Sequence, residues 1–175
     1  MNVPGRKTKI LFDENALRNR IKTLGKQITA DHVGHELVVV GVLKGAVVFL
    51  TDLIRAIDLP LEVDFIGVQS YEGTESTGQV RLVHDLTCEI KGKHVLIVED
   101  IIDSGRTIDY LLSTLEVRQP ASIKVCALLS KPESHSMHHK IDYCGFEITK
   151  EFVVGYGLDL DGKFRNYPYI IQIVD

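Results

Sequence analysis

The residues best suited to chemistry lie together in the stretch Val95–Thr107, VLIVEDIIDSGRT. Its first four residues are β-branched or apolar, which predicts a parallel strand buried on both faces. Glu99, Asp100 and Asp103 follow at the carboxyl end of this strand, where ligands bind in open α/β sheets. Adjacent acids at such a place are costly unless they meet cations, hydroxyl groups or solvent.

The turn after these acids, Asp103-Ser104-Gly105-Arg106-Thr107, opens a predicted helix. A helix N-terminus presents unpaired amides and the positive end of the dipole, and here a glycine and two hydroxyl groups accompany it. This pattern predicts a phosphate site. The alternative is that Asp103 or Ser104 only caps the helix. Walker and GxGxxG motifs are absent, so a phosphate with a diol fits better than a nucleoside triphosphate or a dinucleotide.

The elements that must position this site alternate between strand and helix. Apolar spacing of three and four predicts a first helix over residues 13–31, with Asp13 as its cap. Further strands are predicted at 36–43, 61–69, 79–84, 95–100 and 123–130, and further helices at 46–57 and 106–117. The alternation predicts an α/β fold with a mostly parallel, twisted sheet flanked by helices.

We expect a single domain over residues 1–175, with its core at about residues 10–150. Residues 70–79 are rich in Gly, Ser, Thr and Glu, which predicts a mobile lid, and residues 132–140 predict another exposed loop. The remaining segment mixes short apolar runs with turn residues. We expect the chain termini, chiefly residues 151–175, to form a small hood over the edge of the sheet.

Composition narrows the classes of partner. The 175-residue chain is 45% hydrophobic, with a formal net charge of -4 and a pI near 6.0. Such a chain has no global field that would attract nucleic acid or an anionic membrane, and it contains no long apolar span or secretory signal pattern. Three widely spaced cysteines favour reduced thiols, so we expect a cytoplasmic protein. The histidines at 135, 138 and 139 lack a zinc-site spacing.

The stretch Val95–Thr107 resembles the phosphoribosyl pyrophosphate signature of the type I phosphoribosyltransferases, in the form typical of hypoxanthine(-guanine) phosphoribosyltransferases. Ser104 and Arg106 stand where many members carry Thr and Lys, and they keep a hydroxyl group and a cation there. The resemblance implies the type I phosphoribosyltransferase fold. It extends to further segments: VGVLKGAVVFL (40–50), SYEGTESTG (70–78), LLSKP (128–132) and FVVGYGLDLDGKFRN (152–166).

This resemblance implies roles on the sugar-phosphate side of a site. Glu99 and Asp100 would hold the ribose hydroxyl groups, directly or through Mg2+. Asp103 would be the catalytic base near N7 of a purine. The 5-phosphate would be wrapped by Asp103, Ser104, Gly105, Arg106 and Thr107.

The resemblance also implies a pyrophosphate site at Leu43, Lys44, Gly45 and Arg165. The Lys44–Gly45 peptide bond is often cis in the family. Asp159 would hold a second magnesium ion. From the residues alone, Lys44-Gly45 is equally a plain turn.

On the purine side, the resemblance implies that Lys131 contacts the 6-oxo group, Phe152 stacks on the base, and Val153 offers backbone groups. From the residues alone, Lys131 is equally a solvated lysine and Phe152 a core aromatic. Ser70 and Tyr71 would make the closing contacts of the lid.

The implied function is transfer of the 5-phosphoribosyl group from phosphoribosyl pyrophosphate to N9 of hypoxanthine, and of guanine, giving IMP or GMP and pyrophosphate. Such a glycosyltransferase of purine salvage uses magnesium and usually forms homodimers or homotetramers. One alternative is a xanthine- or adenine-preferring enzyme, although Lys131 disfavours the 6-amino group of adenine. Another is a phosphoribosyl-pyrophosphate-sensing regulator that binds RNA, although the chain lacks an evident basic stripe.

Overall fold

The computed structural model describes residues 3–70, 80–134 and 139–174. Two sheets and three helices make up this part of the chain. In chain order the elements are β1 (Thr8–Phe12), α1 (Glu14–His32), β2 (Leu37–Leu43), α2 (Val47–Ala56), β3 (Leu61–Ser70), β4 (Val80–His84), β5 (His94–Ile102), α3 (Arg106–Glu116), β6 (Ser122–Ser130), β7 (Tyr143–Glu147), β8 (Phe152–Val154) and β9 (Ile170–Ile173).

The larger sheet has six strands in the order β4-β3-β2-β5-β6-β7. The neighbouring pairs β3-β2, β2-β5, β5-β6 and β6-β7 are parallel, and the edge strand β4 runs antiparallel to β3. The predicted α/β fold with a mostly parallel sheet is therefore confirmed. Because β2 and β5 are neighbours and parallel, the loops that follow them open at the same edge of the sheet.

Both faces of this sheet are covered, as the continuous apolar strands predict. One core layer packs β2, β5 and β6 against α1 and α2, and the other packs the opposite face of the sheet against α3. In α1 the residues that enter the core are the predicted ones, Leu17, Ile21, Leu24 and Ile28. The side chain of Asp13 caps this helix by accepting a hydrogen bond of 2.8 Å from the amide of Ala16.

The smaller sheet has the order β1-β9-β8 and is antiparallel. It joins the N-terminal strand β1 to two strands of the hood, so both ends of the chain contribute to it. Neither β1 nor β7 was predicted. Each is five residues long; β1 has only half-buried and exposed positions, and β7 mixes buried with exposed ones, so the local pattern is weak and the pairing partner supplies the missing constraint.

No helix in the described part of the chain has both the length and the apolar character needed to cross a membrane.

A buried carboxylate ties β3 to the segment that precedes β5. Asp64, which is 6% exposed, accepts hydrogen bonds from the amides of Phe65, Thr87 and Cys88 at 2.8, 2.7 and 2.9 Å. Burial on its own would raise the pKa of Asp64. The amide hydrogen bonds outweigh burial and lower this pKa to about 2.

We predict that Asp64→Asn lowers the free energy of unfolding in a pH-dependent way. Because the pKa of Asp64 is lower in the folded chain than in the unfolded chain, its ionised form stabilises the fold above about pH 4. That contribution is lost as the pH falls towards 2. Urea unfolding should show a loss of about 1 to 2 kcal/mol at pH 7 that shrinks below pH 4. The exposed Asp58→Asn serves as the control, and a loss that stays constant with pH would contradict the prediction.

Candidate active site

The acidic cluster lies in the last residues of β5 and the turn behind it. Glu99 and Asp100 belong to β5 itself, and Asp103 follows the strand, which ends at Ile102. The parallel neighbour β2 ends at Leu43, so Lys44 and Gly45 reach the same edge of the sheet. The structure thus brings the predicted pyrophosphate loop, Leu43-Lys44-Gly45, beside the predicted sugar-binding acids.

Glu99 is a buried carboxyl group with an unpartnered oxygen. Its residue is 8% exposed, and its Oε2 atom has no hydrogen-bond partner among the residues that the structure describes. Burial, and to a lesser extent the charge of Asp100, raises the pKa of Glu99 well above its usual range. A group in this state is costly for the fold, which is characteristic of a functional site.

Asp100 packs directly against the pyrophosphate loop. A Cβ atom at Gly45 would overlap with the Asp100 carboxylate, so a side chain there would have to displace that carboxylate. Burial raises the pKa of Asp100 to about 6, although the Ile101 amide, at 2.8 Å from Oδ1, and the charge of Arg165 both oppose this rise.

The turn that opens α3 has the features of an anion site. Gly105 occupies the N-cap position with a φ of 79°, in the left-handed region that favours glycine. No side chain caps the helix, so the alternative that Asp103 or Ser104 serves as its cap is wrong. The first amides of α3 are therefore left for a ligand beside the exposed side chains of Ser104 and Arg106.

Asp103 and Lys131 form an ion pair across two neighbouring strands. The Lys131 Nζ atom lies 2.9 Å from Asp103 Oδ2, and the Lys131 amide donates to the Ile102 carbonyl at 2.9 Å. The side chain of Lys131 is only 14% exposed, whereas that of Asp103 is 57% exposed. Lys131 is thus not a solvated lysine.

The hood supplies an aromatic side chain of unusual exposure. Phe152, the first residue of β8, is 53% exposed, while Val153 next to it is buried. The alternative that Phe152 belongs to the core is therefore wrong. An exposed ring at this place has a free face on which a flat ligand can stack.

Arg165 and Asp159 connect the hood with the pyrophosphate loop. The Arg165 guanidinium contacts Asp159 Oδ1 at 2.6 Å and donates to the Gly157 carbonyl at 2.6 Å. Gly157 in turn lies so close to the Gly45 carbonyl that a Cβ atom there would overlap with it. The contact at Gly157 was missed from the sequence, where the only signal was the pair of glycines that flank Tyr156.

One detail of the pyrophosphate loop differs from expectation. The cis peptide bond joins Leu43 to Lys44, not Lys44 to Gly45. Sequence does not mark such a bond, because every peptide bond without proline prefers trans in the same way. Of the two predicted lid residues, Ser70 ends β3 and Tyr71 lies outside the described residues.

The oxygen donors of this cluster fit a hard divalent cation. Glu99 offers an unpartnered oxygen, and Asp100 lies next to it. Within residues 3–70, 80–134 and 139–174, no three His, Cys, Asp or Glu side chains are grouped so that they could hold a metal ion by themselves. Magnesium commonly takes one or two carboxylates from a protein and completes its shell with water and substrate phosphate.

Comparisons with known proteins point in the same direction. A family model described as a phosphoribosyl transferase domain matches residues 7–161. The chain is 45% identical to the hypoxanthine-guanine phosphoribosyltransferase of Mycobacterium avium, with 95% of this chain and 86% of that protein covered. It is also 48% identical to the bifunctional protein TilS/HprT of Listeria innocua, but it spans only 25% of that relative's length.

Solved structures agree in fold. A hypoxanthine-guanine phosphoribosyltransferase from Bacillus anthracis superimposes with a TM-score of 0.91 at 44% identity, over 97% of this chain and 99% of that one. The hypoxanthine phosphoribosyl transferase of Trypanosoma cruzi gives a TM-score of 0.92 at 38% identity, over 99% of this chain and 95% of that one.

We predict that Gly157→Ala destabilises the protein more than Gly162→Ala does. Both glycines have a positive φ, 102° and 76°, so both substitutions strain the backbone by about 1 kcal/mol. Only at Gly157 does the new Cβ also meet the Gly45 carbonyl, whereas at Gly162 the space is open. Urea unfolding should show an additional loss of about 2 kcal/mol for Gly157→Ala. Equal losses would mean that the contact between the hood and the pyrophosphate loop is not tight.

Proposed function

The chain belongs to the phosphoribosyl transferase family, and we propose that it transfers the 5-phosphoribosyl group of phosphoribosyl pyrophosphate to N9 of hypoxanthine and guanine. The products are IMP or GMP and pyrophosphate. The observation that carries this proposal is the pairing of Asp103 with Lys131 near the acids of β5, Glu99 and Asp100. A carboxylate that can accept a proton and a largely buried cation are suited to a purine, and the acids are suited to a sugar.

The sugar-phosphate half of the site lies at the end of β5. The uncapped amides of α3, with Ser104 and Thr107, bind the 5-phosphate, and Glu99 and Asp100 bind the ribose hydroxyl groups. Glu99 and Asp100 would also hold Mg2+, which supplies charge neutralisation of the pyrophosphate when it is bound. Asp159 is the proposed holder of a second magnesium ion.

The leaving group is served by the pyrophosphate loop and the hood. As the bond to C1 of the ribose breaks, the sugar gains cationic character and the pyrophosphate gains negative charge. The amides of Lys44 and Gly45 and the guanidinium of Arg165 face this charge. Because they are held by the fold beforehand, they need little reorganisation during the reaction.

The contact between Asp103 and Lys131 supports the proposed purine half of the site. In a 6-oxopurine, N7 and the 6-oxo group lie side by side on one edge of the base. Asp103 Oδ2 and Lys131 Nζ are 2.9 Å apart, so this pair meets that edge with an acceptor for the N7 proton and a donor for the oxygen. The exposed ring of Phe152 stacks on the base, and the backbone of Val153 contacts its far edge.

The remaining assignments stay predictions. Closure of the lid by Ser70 and Tyr71 would keep water from the cationic sugar. The homodimer or homotetramer, with the apolar helix α2 as a candidate contact, and the cytoplasmic location also await measurement. A panel of hypoxanthine, guanine, xanthine and adenine in one assay decides the purine preference.

We predict that Asp103→Asn lowers kcat for IMP formation by about 100-fold, because an amide cannot accept the N7 proton. The measurement is steady-state turnover at saturating hypoxanthine and phosphoribosyl pyrophosphate. Asp58→Asn, an exposed substitution remote from the site, should leave kcat unchanged. Full turnover of Asp103→Asn would overturn the assignment of the base.

We predict that Lys131→Ala raises the KM for hypoxanthine by at least about 10-fold, since the 6-oxo group loses a charged donor. The KM for phosphoribosyl pyrophosphate should change by less than about threefold, and discrimination against adenine should fall. Lys140→Ala, whose side chain is 86% exposed, is the matched control. An equal rise in both KM values would argue against a purine contact.

A further inference from the structure

Three consecutive residues of the hood have a left-handed backbone: Gly155, Tyr156 and Gly157, with φ values of 103°, 52° and 102°. The two glycines are required by close approaches, because a Cβ at Gly155 would overlap with the Tyr169 carbonyl and one at Gly157 with the Gly45 carbonyl. Tyr156 has no such freedom, and this backbone costs it conformational energy. Some interaction of Tyr156 must offset that cost.

The side chain of Tyr156 provides this interaction. It is 6% exposed and packs in the core layer that contains α1 and α2. Its hydroxyl group donates to Asp52 Oδ2 at 2.5 Å, and burial together with this hydrogen bond raises the pKa of Tyr156, which keeps it a donor. A phenylalanine ring would fill the same space in the core, so what the tyrosine hydroxyl group adds is the hydrogen bond to Asp52.

Asp52 is rigidly connected with the pyrophosphate loop. It lies in the second turn of α2, which begins directly after this loop. The Val47 amide donates to the Lys44 carbonyl at 3.3 Å, and the Leu50 amide donates to the Ala46 carbonyl at 2.7 Å. A backbone hydrogen bond therefore joins the loop to the first turn of α2, and Tyr156 joins the hood to the same helix through Asp52.

The next residue in the hood, Gly157, is the one that touches the pyrophosphate loop. Its amide donates to the Arg165 carbonyl at 2.9 Å, and its carbonyl accepts from the Arg165 guanidinium at 2.6 Å. Gly157 therefore connects Tyr156, its neighbour in the chain, with the guanidinium of Arg165.

We propose that the hydrogen bond from Tyr156 to Asp52 is a positioning link that fixes Arg165 and Gly157 against the pyrophosphate loop. The link sets the affinity of the site for the pyrophosphate group, and neither residue touches the substrate. This inference rests on the proposed function. The purine half of the site is independent of the link, since Lys131 follows β6 and Asp103 follows β5.

The test compares Tyr156→Phe with Tyr143→Phe. Tyr143 is a matched control because it is also buried and also donates to a carboxylate, Asp31, at 2.5 Å, but it lies towards the amino ends of the strands, away from the site. Tyr156→Phe should raise the KM for phosphoribosyl pyrophosphate about 5- to 20-fold and also lower kcat, because Arg165 faces the charge of the leaving pyrophosphate, with the KM for hypoxanthine within about twofold of the wild type. Tyr143→Phe should leave all three constants unchanged.

A second series changes the acceptor, Asp52, whose side chain is 44% exposed. Asp52→Ala should reproduce the rise in KM, and Asp52→Asn, which keeps an acceptor oxygen, should restore most of the affinity. The double variant Tyr156→Phe with Asp52→Ala should be no worse than either single one, as expected for two partners in one interaction.

Calorimetric titration with magnesium pyrophosphate examines the link without turnover. Its dissociation constant should rise in Tyr156→Phe and in Asp52→Ala by the same factor as the KM. A wild-type chain that makes no IMP would refute the proposed function, and this titration would still decide on the link. The link is refuted if pyrophosphate affinity in both variants stays within twofold of the wild type, or if the KM for hypoxanthine rises equally.

Discussion

The bare backbone of Gly45 is the constraint on which this site depends. On one side it meets the carboxylate of Asp100, and its own carbonyl meets Gly157 of the hood. A side chain at Gly157 would overlap with the Gly45 carbonyl, and one at Gly45 would have to displace the Asp100 carboxylate. The close approach brings the acids of β5, the pyrophosphate loop and Arg165 to one place.

The second feature of the site is the free-energy cost of burying the carboxyl groups of Glu99 and Asp100 at the end of β5. Glu99 is buried without a partner for Oε2, and burial raises the pKa values of both Glu99 and Asp100. The core layers on both faces of the sheet stabilise the fold enough to offset the free-energy cost of burying these carboxyl groups. Asp64 shows the contrast, because its three amide donors satisfy it and lower its pKa.

Local patterns predicted the parts of the fold in which burial is periodic or continuous. The helix α1 was found from its apolar spacing and from Asp13, and β2 and β5 from their unbroken apolar runs. The strands β1 and β7 were missed, because each is stabilised by a partner strand and not by its own pattern. The cis bond at Leu43–Lys44 and the left-handed Tyr156 likewise leave no trace in residue types, because each depends on contacts made by the folded chain.

The sequence by itself determined which residues at the end of β5 are suited to chemistry, because acids, hydroxyl groups and a glycine at the end of an apolar strand favour a ligand with a phosphate and a diol. Its resemblance to a known family extended that to Lys131, Phe152 and Arg165. Only the tertiary structure decided how they meet: Asp103 with Lys131, and the hood with the pyrophosphate loop. The physical reason is that these contacts are made between neighbouring strands and between separate sheets, whereas sequence periodicity reports only the burial of one element at a time.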